Sequence, residues 1–338
     1  MTEEVELPMA EARQLATDAC LGAGADAASA RSLVDATLSA ALLGPPTLGF
    51  PHLVDYLNAF IEGRINGHPE PRLTHALPSS IVSDADRGIA QLGFDLAVND
   101  LVEAAQKNGI AIFTQTNSYT AGELGYYVRI LASHDLVGLA VTNANAMVVS
   151  KPGDPAVYST NPLAFGFPLG PDSPPMIIDQ ASSATAFVNV VRAAEEGQPI
   201  PESWAVDAEG NSTTDATKAL SGALLPFGGR KGGNVALLVE MLSAGLSGGN
   251  WSLDVPDFRS GSTSPAVGLT VIAIRPGQPS DGRIQRAHDQ SRRLAGYGVF
   301  VPGVTGIAHP MSIETLKIPK TVFDRVSAVA SNKRVALA

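Results

Sequence analysis

Asp179 stands directly after the short apolar run Met176-Ile177-Ile178 and shortly before Ser182-Ser183. A carboxylate in that place either caps the helix that the serines open or faces the cleft beyond a sheet, where it can orient a ligand or pass a proton. The run Gly228-Gly229-Arg230-Lys231-Gly232-Gly233 offers different chemistry. Its glycines bare backbone amides at a helix start and its two cations add charge, which suits an anion; the same run also serves as a tight capping loop. Thr142-Asn143, Thr160-Asn161-Pro162 and Asn117-Ser118 flank apolar runs and belong either to turns or to the rim of a site. Pro201-Glu202-Ser203-Trp204-Ala205-Val206-Asp207 and Thr213-Thr214-Asp215 continue this polar stretch, whose Gly and Pro punctuation fits ligand-presenting loops rather than a core.

Other chemistries are excluded. The six histidines form no helical pair and no cluster with the single cysteine, so no metal site is expected. Cys20 lies in an Ala/Leu-rich helical stretch, reads as packing, and leaves no disulfide framework. No Gly-x-Ser-x-Gly elbow occurs. Gly22-Ala23-Gly24-Ala25-Asp26-Ala27 approximates a dinucleotide fingerprint but joins two helical stretches and follows no strand, so it reads as an interhelical turn. A net charge of −10 argues against nucleic acid or an anionic membrane as partner. The start of the chain lacks a basic-then-apolar layout, and no apolar run reaches the ~18 residues of a membrane span. These features point to a cytoplasmic protein acting on a small molecule.

The elements that must position the polar residues follow from periodicity. Residues 25–43 and 53–61 carry apolar stripes at helical spacing, and Gly44-Pro45-Pro46 stops the first of them. Residues 67–78, rich in Pro and His, read as a connector. Short apolar runs at 110–113, 137–141, 163–167, 176–178 and 271–274 read as strands. Helices are expected at 94–107, 124–133, 233–245 and 280–294, with a frayed tail after about 330. With 338 residues, two domains are expected, one helical and one mixed α/β.

In order and spacing, Ser159-Thr160-Asn161-Pro162, Asp179-Gln180-Ala181-Ser182-Ser183, the 201–207 and 213–215 segments and Gly228-Gly229-Arg230-Lys231-Gly232 resemble the malate/L-lactate dehydrogenase family. That family is unrelated to the Rossmann-type enzymes. The resemblance implies an α/β (α+β) fold with a helical domain over 1–78, joined by helices from about 205–255 and the C-terminal tail. A mixed-sheet, two-layer α/β domain over 79–204 plus about 265–305 would carry the cofactor. It further implies reduction of a small 2-oxo or cyclic 2-imino acid by NADPH or NADH, in a homodimer. Acid/base or orienting roles fall on Asp179, Lys231 and His52. Substrate contacts fall on Thr47, Leu48, Thr142, Asn143, Thr160, Asn161 and Arg230, and cofactor contacts on Asn117, Ser118, Thr120, Ser182 and Ser183.

The chain departs from the family pattern where proton transfer and phosphate binding should occur. The family's Gly-His-Asp-Ser-His-Gly is here Gly44-Pro45-Pro46-Thr47-Leu48-Gly49, so a leucine replaces the proton-passing histidine, and His52 replaces a carboxylate-binding arginine. Asn-Ser-Asn-His-Phe-Gly becomes Asn117-Ser118-Tyr119-Thr120-Ala121-Gly122, Gly-Lys becomes Val188-Asn189, and the Val301-Pro302-Gly303-Val304-Thr305-Gly306 segment lacks the usual basic residues. Two readings follow. One is a reductase with an altered proton donor. The other is the same scaffold turned to cofactor-independent carbonyl or imine chemistry, such as condensation, cyclisation, tautomerisation or epimerisation in specialised metabolism. A non-catalytic binding protein ranks below both, because the polar motifs persist.

Overall fold

The computed structural model describes residues 3–257, 260–278, 281–305 and 314–336. Strand β1 (Glu4–Pro8) leads into helix α1 (Met9–Gly22), α2 (Ala27–Leu43), a 3-10 turn (Pro46–Leu48) and α3 (Phe50–Ile61). The hairpin β2 (Arg72–Leu77) and β3 (Ser80–Asp84) precedes α4 (Ala90–Asn108), β4 (Ile110–Ser118), α5 (Gly125–Ser133) and β5 (Val137–Thr142). Next come β6 (Val148–Val149), β7 (Ala156–Tyr158), β8 (Leu163–Phe167), β9 (Met176–Gln180), α6 (Phe187–Glu195), β10 (Ala205–Val206), α7 (Ala216–Ala219) and β11 (Ala223–Leu224). Helix α8 (Arg230–Glu240) runs into a π turn (Met241–Gly245), followed by β12 (Val267–Ile274), α9 (Arg283–Gly296), β13 (Thr315–Pro319) and α10 (Lys320–Ala336).

Seven strands pair in the order β2-β3-β4-β12-β5-β8-β9. Only β3 and β4 run parallel within it, the pair bridged by α4, while every other neighbour is antiparallel. The mixed sheet expected from the sequence is therefore present. Its centre, β12, buries seven of its eight residues wholly or partly, as a strand covered on both faces must. Helices α4 and α5 cover one face with Phe94, Leu101, Tyr127, Val128 and Leu131 against Phe113, Ala140 and Val271. A second core joins α1, α2, α3, β13 and α10 through residues such as Leu33, Leu53, Leu57, Ile318 and Val326. A third, smaller core lies beneath the four-stranded sheet β10-β11-β6-β7, around Val148, Val190, Ile200 and Leu224.

Four expectations need correction. The 67–78 connector contains edge strand β2, which its exposed, non-alternating residues concealed. The N-terminal segment is not wholly helical, because β1 pairs antiparallel with β13, Glu4 opposite Pro319. The tail after about 330 continues helix α10 to Ala336, and α10 packs on α1 and α3. The 205–255 segment does not join the helical layer: α8 and its π turn lie against β5, β7 and β12. Ser280, Gly306 and His309 fall outside the described residues.

One buried network fixes α8 to the sheet. Asn161, at the β7–β8 corner with φ +37°, donates to Ala236 O and Glu240 Oε2, both at 2.8 Å. Glu240 also accepts from the Ser252 amide and hydroxyl, each at 2.7 Å. Ser159 donates to Asn161 Oδ1 at 2.8 Å, so the carboxamide is satisfied from both ends. Glu240→Ala leaves these donors without an acceptor in the interior. A loss of about 2–4 kcal/mol in folding stability is expected, measured as a lower urea midpoint.

Candidate active site

Asp179 lies on edge strand β9 opposite Ala164 of β8. The first amide of α5, Gly125 N, donates to its Oδ2 at 2.7 Å. Just before that helix stands Glu123, whose carboxylate is 5 % exposed overall and forms an ion pair with Arg129 one turn into α5. Arg129 in turn donates Nε and Nη2 to Ser39 Oγ on α2, at 3.2 and 3.0 Å. The C-cap of α2 is Gly44, and it must be glycine: a Cβ there would lie 2.2 Å from Glu123 Oε1. The end of α2, the start of α5 and the end of β9 therefore converge on one cleft of about 250 Å³. Pro45, Ile177, Phe300 and Pro302 supply its apolar walls.

The electrostatics follow from this seating. Burial pushes the Asp179 carboxyl up to about 6. The Gly125 and Leu124 amides and Arg129 oppose that rise, while the neighbouring Glu123 charge adds to it. A carboxyl poised there changes protonation close to neutral pH, the range in which an acid/base group is most effective.

The other expected residues divide into three groups. His52 and Lys231 do not enter the cleft, which corrects the grouping of three acid/base residues. His52, on α3, holds Asp55 Oδ2 through Nδ1 at 3.1 Å and sits edge-on to Tyr56, with ring centroids 5.1 Å apart. Lys231 is exposed on the first turn of α8. Thr47 is exposed and Leu48 half-buried in the 3-10 turn, and the cleft begins instead at Leu43, Gly44 and Pro45.

A second group is used up in the interior. Thr142 donates to Gly268 O at 2.7 Å and Asn143 to Asn250 O at 2.8 Å, so both brace β5 against β12 and its approach loop. Ser118 donates to Val267 O at 3.3 Å, and Thr120 shares two bonds with the Tyr56 hydroxyl. Asn117, at φ +57°, donates to Asp84 Oδ1 at 2.9 Å. Ser182 donates to Asn161 O at 2.6 Å and its amide to Thr160 O at 2.7 Å; Ser183 donates to Thr185 O at 2.7 Å. These side chains, with Asn161, are bonded within the protein and line neither the Asp179 cleft nor the Arg230 cavity. The Thr160 side chain is half-buried and bonds to none of the described residues. Glu123 and Arg129 were not singled out from sequence. The available signal was a lone acid between glycines, Gly122-Glu123-Leu124-Gly125, just past a strand.

Arg230 belongs to a separate, larger cavity of about 700 Å³ that it shares with Lys151, Trp204, Phe227, Gly228 and Gly229. Gly228 and Gly229 both have positive φ, 56° and 62°, with open space where a Cβ would stand. Bare backbone at the N-terminus of α8, two exposed cations and aromatic faces suit the phosphates and base of a dinucleotide. At the Asp179 cleft, the one cation among the described lining residues is Arg129, already paired. The residues lining the Arg230 cavity thus fit a nicotinamide dinucleotide.

Comparison with known proteins agrees with this architecture. The Δ1-pyrroline-2-carboxylate reductase of Pseudomonas fluorescens is 32% identical over 307 residues, covering 89% of this chain and 91% of the relative. The (2R)-3-sulfolactate dehydrogenase (NADP(+)) of Chromohalobacter salexigens is 32% identical over 309 residues, covering 90% and 91%. The crystal structure of the Δ1-piperideine-2-carboxylate reductase of Pseudomonas syringae pathovar tomato superposes with a TM-score of 0.85 at 29% identity, covering 96% of this chain and 99% of that one. The sequence profile for malate/L-lactate dehydrogenase matches residues 7–307, and the chain belongs to that oxidoreductase family.

Proposed function

We propose that this chain is a nicotinamide-dependent reductase of a small 2-oxo or cyclic 2-imino acid, with the cyclic imine as the better substrate. The observation that carries the choice is Asp179 in a cleft holding two carboxylates, while leucine stands where relatives place a proton-passing histidine. A 2-oxo acid needs a proton delivered to its oxygen as the alcohol forms. A protonated imine arrives with its proton and needs only a carboxylate to steady the cationic nitrogen. When bound, the dinucleotide supplies the hydride. Asp179 orients the ring nitrogen, the Gly125 amide fixes the carboxylate, and Pro45, Ile177 and Pro302 keep water from the small chamber. Names given to the relatives, several of them reductases of five- and six-membered cyclic imino acids, support the same substrate class.

The assembly we propose is a cytoplasmic homodimer. Leu237, Leu238 and Met241 are 42, 53 and 53 % exposed on one side of α8 and its π turn, an apolar row that water does not favour. No described helix is long and apolar enough to cross a membrane.

Three outcomes test this reading. For imine reduction, kcat/KM should rise as pH passes about 6, because the ionised Asp179 is the useful form. Reduction of a 2-oxo acid should instead fall across the same range, since there the protonated form is needed. Asp179→Asn should abolish both limbs and cost about a hundredfold or more in kcat/KM. Sign matters for stability as well. The folded-state carboxyl is raised above its unfolded value, so its contribution is present at low pH and lost as pH rises through about 6. At pH 8 the Asn variant should therefore melt no lower than wild type while being inactive, and a large drop in melting temperature would sink the assignment.

Titration of the purified protein with NADH and NADPH should give saturable binding. The double substitution Lys151→Ala, Arg230→Ala should weaken it by about tenfold or more, as expected for losing charge-assisted phosphate contacts. Absence of binding by either dinucleotide in wild type would favour cofactor-independent chemistry. Light scattering at micromolar concentration should show twice the chain mass, and Leu238→Glu with Met241→Glu should halve it.

A further inference from the structure

The proposed reductase reading does not say how the cleft would choose between an imine and an oxo acid of the same size. Glu123 is 5 % exposed, yet its carboxylate lines the same small chamber as Asp179. Its Oε2 is committed to Arg129 Nη2. Its Oε1 is seated between two glycines, since a Cβ on Gly44 or Gly125 would come within 2.2 or 2.5 Å of it. Among the described residues that oxygen accepts no hydrogen bond. Arg129 is held by Ser39 through Nε and Nη2, and its Nη1 lies over Gly125, where a Cβ would approach to 2.7 Å. Nη1 likewise donates to none of the described residues.

The chamber thus presents a Glu123 oxygen and an Arg129 guanidinium nitrogen that no described residue bonds, and a second carboxylate on Asp179, against walls that are mostly proline with one isoleucine. We infer that Glu123 and Arg129 are the specificity-determining pair of this cleft, selecting a ring with a cationic nitrogen beside a carboxylate over a neutral ring of equal size. This rests on the reductase reading for its substrate class but not on any dinucleotide. An N–H cation completes Glu123 Oε1 and Asp179 together, and the adjoining carboxylate completes Arg129 Nη1. An uncharged oxygen in the place of that nitrogen would face two carboxylates with nothing to donate, which excludes it by repulsion as well as by lost bonding. Low-dielectric walls strengthen both effects relative to water.

The pair of ligands that isolates the nitrogen is L-proline and tetrahydrofuran-2-carboxylate, which share ring size and carboxylate and differ in the charged N–H. Calorimetric titration of the whole protein should show proline bound about tenfold or more tighter. In Glu123→Gln that preference should fall below about threefold, through weaker proline binding and relief of the repulsion on the oxygen ring. Affinity for the oxygen ring no weaker than in wild type shows that the variant's cleft is still folded. Arg129→Gln should weaken both ligands by about tenfold. An intact preference in Glu123→Gln, or no preference in wild type, overturns the assignment. Because no dinucleotide is present, a protein that prefers proline yet reduces no imine sinks the reductase reading and leaves the selector standing. A protein that reduces imines without this preference does the reverse.

Discussion

The contact on which the rest of the site depends is the ion pair between Glu123 and Arg129 under the end of α2. Its side chains are 2 and 11 % exposed, so neither charge is compensated by water. Removing one partner of such a buried pair costs about 3–5 kcal/mol, because the other is stranded. The pair also holds two layers together. Arg129 rises from α5, on the sheet, and donates to Ser39 on α2, in the helical layer. Gly44, the last residue of that layer before the proline turn, rests on the Glu123 carboxylate with no room for a side chain. The cleft exists because these layers are clamped at this point, and Asp179 is desolvated because the clamp closes over it.

Polar residues elsewhere in the motif-rich middle of the chain serve a different purpose. Asn161, Ser159, Ser182 and Glu240 form a closed interior network, while Thr142, Asn143 and Ser118 brace neighbouring strands around the bulge in β12. Each such group is costly unless bonded, and together they specify one arrangement of the loops. The network ties α8, with its glycine-bared start, to the β7–β8 corner. The two cavities differ in charge: Asp179 and Glu123 bring carboxylates to one, and Arg230 and Lys151 bring cations to the other.

This separation gives physical meaning to the departures from the family pattern. Residue 48, in the turn after α2, is leucine and carries no proton, while the chain has a carboxyl raised to about 6 at Asp179 with the Glu123 carboxylate beside it. A reaction whose substrate brings its own proton loses little by that leucine, and a cationic substrate gains from the second carboxylate.

The sequence by itself determined much of this. The apolar runs at 110–113, 137–141, 163–167, 176–178 and 271–274 all became strands of the large sheet, because a short apolar run bounded by turn residues is a local property of the chain. The ordered motifs identified the family, and Asp179 was legible as a carboxylate at a strand end. Strands β1 and β2 were not legible, since edge strands bury little and their partners lie far away or across a polar hairpin. Nor was the composition of the cleft. Glu123, Arg129, Gly44 and Asp179 are scattered over 136 residues of sequence (179 − 44 + 1), and only the packing of α2 on α5 brings them together. Tertiary structure likewise decided that His52 and Lys231 stay outside and that Asn161 turns inward. Residue type shows what a side chain can do. The direction in which it points, and whether water reaches it, depend on partners distant in sequence.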